Sequence, residues 1–195
     1  MDLEQAGEAL LWEEEPAPTE ASSCTLCELS GQRKRVIWGE GSLTAPIVAV
    51  LDNPGAREDR EGNPFVCGTR DTLQKGLRQA GLSEEQVYVT YLLKCRPIRA
   101  YEKETAREAC RPYLDLQLGQ KRPAMLLCLG DTVVKALSGD PEASVKTMRG
   151  HVHHMRGYKA VVSYHPLAVR RRPNLWGRFL EDLQLLKEKI EVKQQ

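Results

Sequence analysis

The chain has 195 residues, 41% of them hydrophobic and 28% charged, with a formal net charge of +1. That length suffices for one domain with a full core, so cysteines are not needed as disulfide staples. No apolar stretch approaches the roughly 20 residues of a membrane span, and Met1-Asp2-Leu3-Glu4 lacks the basic start of a secretory leader. The expected location is therefore cytoplasmic, where clustered cysteines point to metal or redox chemistry more often than to disulfides.

Charge is unevenly spread. Residues 1–20 carry seven acids and no base, which leaves 28 basic against 20 acidic residues in the rest of the chain. The expected division is an acidic tail over 1–20 and a single domain over 21–195. A basic body suits a polyanion partner, although a modest excess of Lys and Arg also describes an ordinary solvated surface. The tail contains the apolar patch Ala9-Leu10-Leu11-Trp12, followed by Pro16 and Pro18. It reads as a mobile arm, a nucleic-acid mimic or a peptide docked on the basic body.

In chain order, Cys24-x2-Cys27 comes first. With Cys95, inside Lys94-Cys95-Arg96-Pro97, and Cys110, it reads as a four-thiolate metal or cluster site, iron–sulfur or zinc. The plainer reading is that these are small buried residues. Ile47–Leu51 is a continuous apolar run typical of a strand buried on both faces, and Asp52-Asn53-Pro54-Gly55 follows it. Asp71–Gln79 has helical spacing with Gly81 as a stop. Val87–Leu93 reads as a second strand. Thr105-x-x-Glu108 reads as a capping box opening a helix to about Leu118. Met125–Leu129 is a third strand, and Gly130-Asp131 turns into a helix ending near Gly139. His151–Met155 and Tyr158–Ser163 form a hairpin whose His151, His153 and His154 are a polar strand face. Tyr164-His165-Pro166 and Arg170-Arg171-Arg172 come next, and Asn174 caps a last helix through Leu186. Strands alternating with helices imply an α/β fold, a mainly parallel four-stranded sheet with helices on both faces. Ligands then bind at the carboxyl ends of the strands, where Asp52, Tyr91, Gly130 and His165 fall.

These segments together resemble the uracil-DNA glycosylase superfamily, most closely its iron–sulfur branch, family 4. The resemblance runs from Cys24 to Leu186 through Cys24-x2-Cys27, Trp38-Gly39-Glu40-Gly41, Pro54-Gly55-x2-Glu58-Asp59, Gly62-Asn63-Pro64-Phe65-Val66, Lys94-Cys95-Arg96-Pro97, Cys110-x2-Tyr113, Arg149-Gly150, Tyr164-His165-Pro166 and Arg171-x-Pro173. It implies a three-layer α/β/α sandwich, a 4Fe–4S cluster on Cys24, Cys27, Cys95 and Cys110, and hydrolysis of the bond between uracil and deoxyribose. The partner implied is DNA, single-stranded or damaged duplex, met by a monomer. Asp52, Asn53 and His165 take the catalytic positions, and Gly55, Phe65 and Tyr91 lie against the base. Leu167 or Val169 is the wedge entering DNA, and Arg170, Arg171 and Arg172 meet phosphates.

Three positions depart from the family pattern. Asp52-Asn53 stands where Glu-Ala is usual, Tyr91 where an Asn reads the base, and Cys67 where a small glycine follows Phe65-Val66. These changes raise a rival reading, a DNA-binding relative with altered or lost base release.

Overall fold

The structure, a computed structural model, describes residues 8–60 and 66–191. Its strands are β1 (Glu14–Glu15), β2 (Gly39–Gly41), β3 (Ile47–Leu51), β4 (Val87–Tyr91), β5 (Met125–Leu129), β6 (Val152–Met155) and β7 (Tyr158–Ser163). The helices are α1 (Thr19–Ser22), α2 (Gly68–Gln79), α3 (Lys103–Lys121), α4 (Asp131–Ser138), α5 (Val145–Met148), α6 (Pro166–Arg171) and α7 (Trp176–Glu191). The strands form one sheet in the order β1-β2-β4-β3-β5-β7-β6.

The apolar runs lie at its centre. β4, β3, β5 and β7 pair in parallel, and every residue of β3, β4 and β5 is buried. Alternation sends the two halves of each strand to opposite faces. Ile47, Ala49 and Leu51 pack with Leu73 and Leu77 of α2 and with Phe179, Leu183 and Leu186 of α7. Val48 and Val50 pack with Leu114 and Leu118 of α3 and with Val133, Val134 and Leu137 of α4. Helices thus cover both faces, as expected of an α/β fold.

The sheet is larger and more mixed than the four strands expected. Among the described residues it has seven strands, and β1, β2 and β6 pair antiparallel with their neighbours. β1 and β2 are two and three residues long and consist of Glu and Gly, so they carry no alternating apolar signal. The expected capping box at Thr105 is also corrected. α3 starts at Lys103 after Glu102, which makes no side-chain cap, and Thr105 lies inside the helix.

Part of the acidic tail docks on the body. The Gln74 side chain, fully buried in α2, accepts from the Leu10 N–H and donates to the Leu10 carbonyl, both at 2.7 Å. Trp12 packs on the core, Glu14 pairs with Arg35, and Glu15 pairs with Lys121 at 2.9 Å. Gln74→Ala removes two hydrogen bonds and is expected to lower the unfolding free energy by about 1–2 kcal/mol. It should also speed amide exchange at Leu10; unchanged exchange there would mean that the clamp does not hold the segment.

The expected 4Fe–4S cluster, and zinc as its rival, are not supported. Among the described residues no group of three or more His, Cys, Asp or Glu is arranged to hold a metal ion. Cys24, Cys27, Cys95 and Cys110 are all free thiols. Cys95 and Cys110 are buried in an apolar cluster with Leu29, Val36, Trp38, Leu93 and Ala106, and Cys27 packs against it. Burial pushes the Cys95 thiol up to about 12 and raises that of Cys110. The plainer reading, as small apolar packing residues, describes the surroundings of Cys27, Cys95 and Cys110.

Candidate active site

A cleft of about 740 Å³ opens at the carboxyl ends of the parallel strands. Connections leave the sheet here, and the helices on its two faces leave a crevice between them. The cleft gathers Asp52, Asn53, Gly55, Tyr91, His165, Leu167, Arg170, Arg171 and Arg172 from the expected set. Phe65 lies outside the described residues. Val169 does not reach the cleft. It is 2% exposed and packs in the core, because α6 turns it inward.

Asp52 and Asn53 follow β3 directly. Burial raises the Asp52 carboxyl above its usual range, and the charges of Arg107 and Lys103 oppose that rise in part. One of its oxygens, Oδ1, is buried without a hydrogen-bond partner among the described residues. A desolvated carboxylate with open acceptor capacity is a competent proton acceptor. The Asn53 amide donates to the Pro54 carbonyl at 2.9 Å, which fixes its side chain beside Asp52.

His165 ends the β7 connection and caps α6. Its Nδ1 accepts from the Leu167 N–H at 3.1 Å. Burial, aided by the positive charge of Arg70, lowers its pKa to about 4. The ring is therefore neutral across the ordinary pH range, and an accepting Nδ1 places its proton on Nε2. His165 thus offers the cleft one fixed N–H donor. Gly130 makes room for it: φ there is +97°, and a Cβ would come within 3.2 Å of the His165 Cβ.

The three arginines are exposed at the cleft rim. Arg170 lies over Gly68 at the start of α2, where any side chain would collide with its guanidinium.

The sequence reading missed the cleft floor. Arg70 of α2 is buried and paired with buried Glu40 of β2. Its Nη2 donates to the Tyr91 hydroxyl. Glu58 lies beside this group, accepting from Gly55 N–H at 2.9 Å and from the Cys67 thiol at 3.3 Å. Cys67, which stands where the family has a small glycine, is half-buried on the cleft wall. Glu40 and Arg70 lie thirty residues apart, on a short strand and a helix, so no local pattern links them.

Comparison with known proteins identifies the family. Residues 38–184 match the Uracil DNA glycosylase superfamily. The chain is 34% identical to a type-4 uracil-DNA glycosylase of Pyrobaculum aerophilum, over 83% of this chain and 86% of the relative. It is 33% identical to one of Archaeoglobus fulgidus, over 90% and 92%, and 34% identical to one of Saccharolobus solfataricus, over 89% and 85%. With a family match over most of the body and several relatives aligned nearly end to end, the chain belongs to the uracil-DNA glycosylase superfamily and, within it, to the type-4 family.

Proposed function

We propose that the protein hydrolyses the N-glycosidic bond of uracil, or of a related deaminated base, in DNA. The observation that carries this reading is the meeting of Asp52, Asn53 and a neutral, donor-presenting His165 in one cleft. The similarity to type-4 uracil-DNA glycosylases supports the same chemistry.

A base inside DNA is out of reach of such a cleft, so the nucleotide is turned out of the stack into it. As the glycosidic bond breaks, negative charge develops on the departing base and positive charge on the sugar. His165 Nε2–H then meets a carbonyl oxygen of the base, a preorganised donor aimed at developing charge. Asp52, ionised, faces the sugar cation and accepts a proton from the attacking water. Asn53 has no proton to accept at these pH values, so its part is to orient that water. Leu167, half-buried at the rim, takes the place left by the departed base.

Arg170, Arg171 and Arg172 meet phosphates, which gives binding without sequence choice. Each phosphate contact on single-stranded DNA adds about 0.7 to the slope of log K against log salt concentration. Replacing all three by Ala is expected to lower that slope by about 2. An unchanged slope would place the DNA elsewhere. The test of the function itself is base release: purified protein in excess, given strands with one uracil, should leave abasic sites that alkali cleaves.

A further inference from the structure

Tyr91 stands where the family's base-reading Asn is expected, and its bonding decides what it reads. A phenol oxygen carries one hydrogen and accepts through the remaining side. Arginine only donates, so the contact from Arg70 Nη2 uses the accepting side of Tyr91. Arg70 is held in that pose by Glu40 on its Nε, with both side chains buried, and its guanidinium lies 5.6 Å from the Tyr91 ring centre. Among the described residues, none accepts the Tyr91 proton. The neighbouring Glu58 carboxylate is already engaged by Gly55 and Cys67. Tyr91 and Arg70 both line the cleft.

We infer that Arg70 sets the hydrogen-bond polarity of the cleft floor, so that Tyr91 presents only an O–H donor and the site takes bases with a carbonyl oxygen at that edge. The inference rests on the glycosylase reading above and narrows it. An amide side chain reads one donor and one acceptor together; this floor reads one acceptor. Uracil fits it through O4 and hypoxanthine through O6, for which a cleft of about 740 Å³ has ample room; thymine and guanine carry the same oxygen, so this donor sorts oxo from amino bases and not damaged from normal ones. Cytosine and adenine present an amino group there, and two donors would face each other. Rejection follows from the lost partner, since a buried donor left unpaired costs about 1–3 kcal/mol. His165 supplies the second donor, so in uracil the pocket recognises two oxygens rather than an oxygen and an N–H.

Single-turnover release of uracil and of 4-thiouracil from otherwise identical strands tests this, with the wild type and Tyr91→Phe compared. Sulfur is the weaker acceptor. Tyr91→Phe is expected to slow uracil release about tenfold, the worth of one hydrogen bond, and to leave 4-thiouracil nearly unchanged. Equal losses for both bases, or no loss for either, would overturn the inference and leave the glycosylase reading standing. No release of any base by the wild type would remove both. The double variant Glu40→Met/Arg70→Met tests the role of Arg70 separately, whether or not Tyr91→Phe folds. It removes both members of the buried pair together and returns an acceptor to Tyr91. Release of cytosine relative to uracil, from a strand with one cytosine, should rise at least tenfold. An unchanged ratio would show that Arg70 only braces the fold.

Discussion

His165→Ala is expected to lower kcat/KM for base release by about 10²- to 10³-fold, the usual loss when one preorganised donor to developing charge is removed. DNA affinity should hardly change, because the arginine rim is untouched. The effect is large because the donor is fixed before substrate arrives: Nδ1 is committed to Leu167 N–H and the proton is on Nε2. The pH profile distinguishes this role from a charged one. Burial first, and Arg70 second, hold the His165 pKa at about 4, so no step in rate is expected near the ordinary histidine value. The acid limb belongs instead to Asp52, whose carboxyl is raised by burial: activity falls as pH drops and Asp52 takes up its proton. A limb centred near 6.5, absent in His165→Ala, would contradict the neutral-donor role.

The same two groups act oppositely on stability. Between about 6.5 and 4 the unfolded chain takes up a proton on His165 and the folded protein does not, so stability falls with falling pH there. The raised pKa of Asp52 means the folded protein binds that proton more readily. Its contribution is present in acid and lost as pH rises through the folded value. At neutral pH the Asp52 charge is thus a cost to the fold, and Asp52→Asn is expected to stabilise the protein as it removes activity.

Arg70→Met alone is expected to destabilise the fold by about 3–5 kcal/mol, because it strips a buried carboxylate of its paired cation. For a chain of 195 residues this corresponds to a fall in Tm of roughly 10 °C. Glu40 is 5% exposed, so its carboxylate does not regain water easily when the guanidinium is gone. Glu40→Met/Arg70→Met should recover most of the loss, since an apolar pair of similar volume often replaces a buried ion pair at little cost. Thermal and urea unfolding of both variants give the comparison; a single variant within 1 kcal/mol of wild type would show that water reaches the pair. Loss of Arg70 should also let the His165 pKa rise, because the positive charge of Arg70 is one of its two depressing causes.

The central layer was readable because burial on both faces leaves an unmistakable mark. Ile47–Leu51 and Met125–Leu129 are apolar throughout, and both are wholly buried strands. The short outer strands were not readable: Gly39-Glu40-Gly41 has strand pairing without strand composition, and its register depends on Val89 and Tyr88 of another segment. Asp52, Asn53, Tyr91 and His165 were legible because strand ends in such a sheet converge on one crevice. Val169 was misplaced because a wedge and a core residue are both apolar, and only the turn of α6 tells them apart. The cysteine spacing misled for a related reason. Spacing reports which thiols are near in sequence, not whether their surroundings favour thiolate, and an apolar cluster closes around Cys95 and Cys110. Arg70 and Glu40 left no sequence signal, since their pairing exists only once α2 lies across β2.

The central claim is that this cleft releases a deaminated base, and abasic-site formation tests it most directly. Protein in excess is incubated with strands carrying one uracil, one hypoxanthine or only normal bases, then treated with alkali. Cleavage at uracil or hypoxanthine alone, abolished by the Asp52→Asn/Asn53→Ala double variant, is the predicted result. Intact strands throughout, from folded protein that still binds the same DNA, would contradict it and leave a DNA-binding relative without base release.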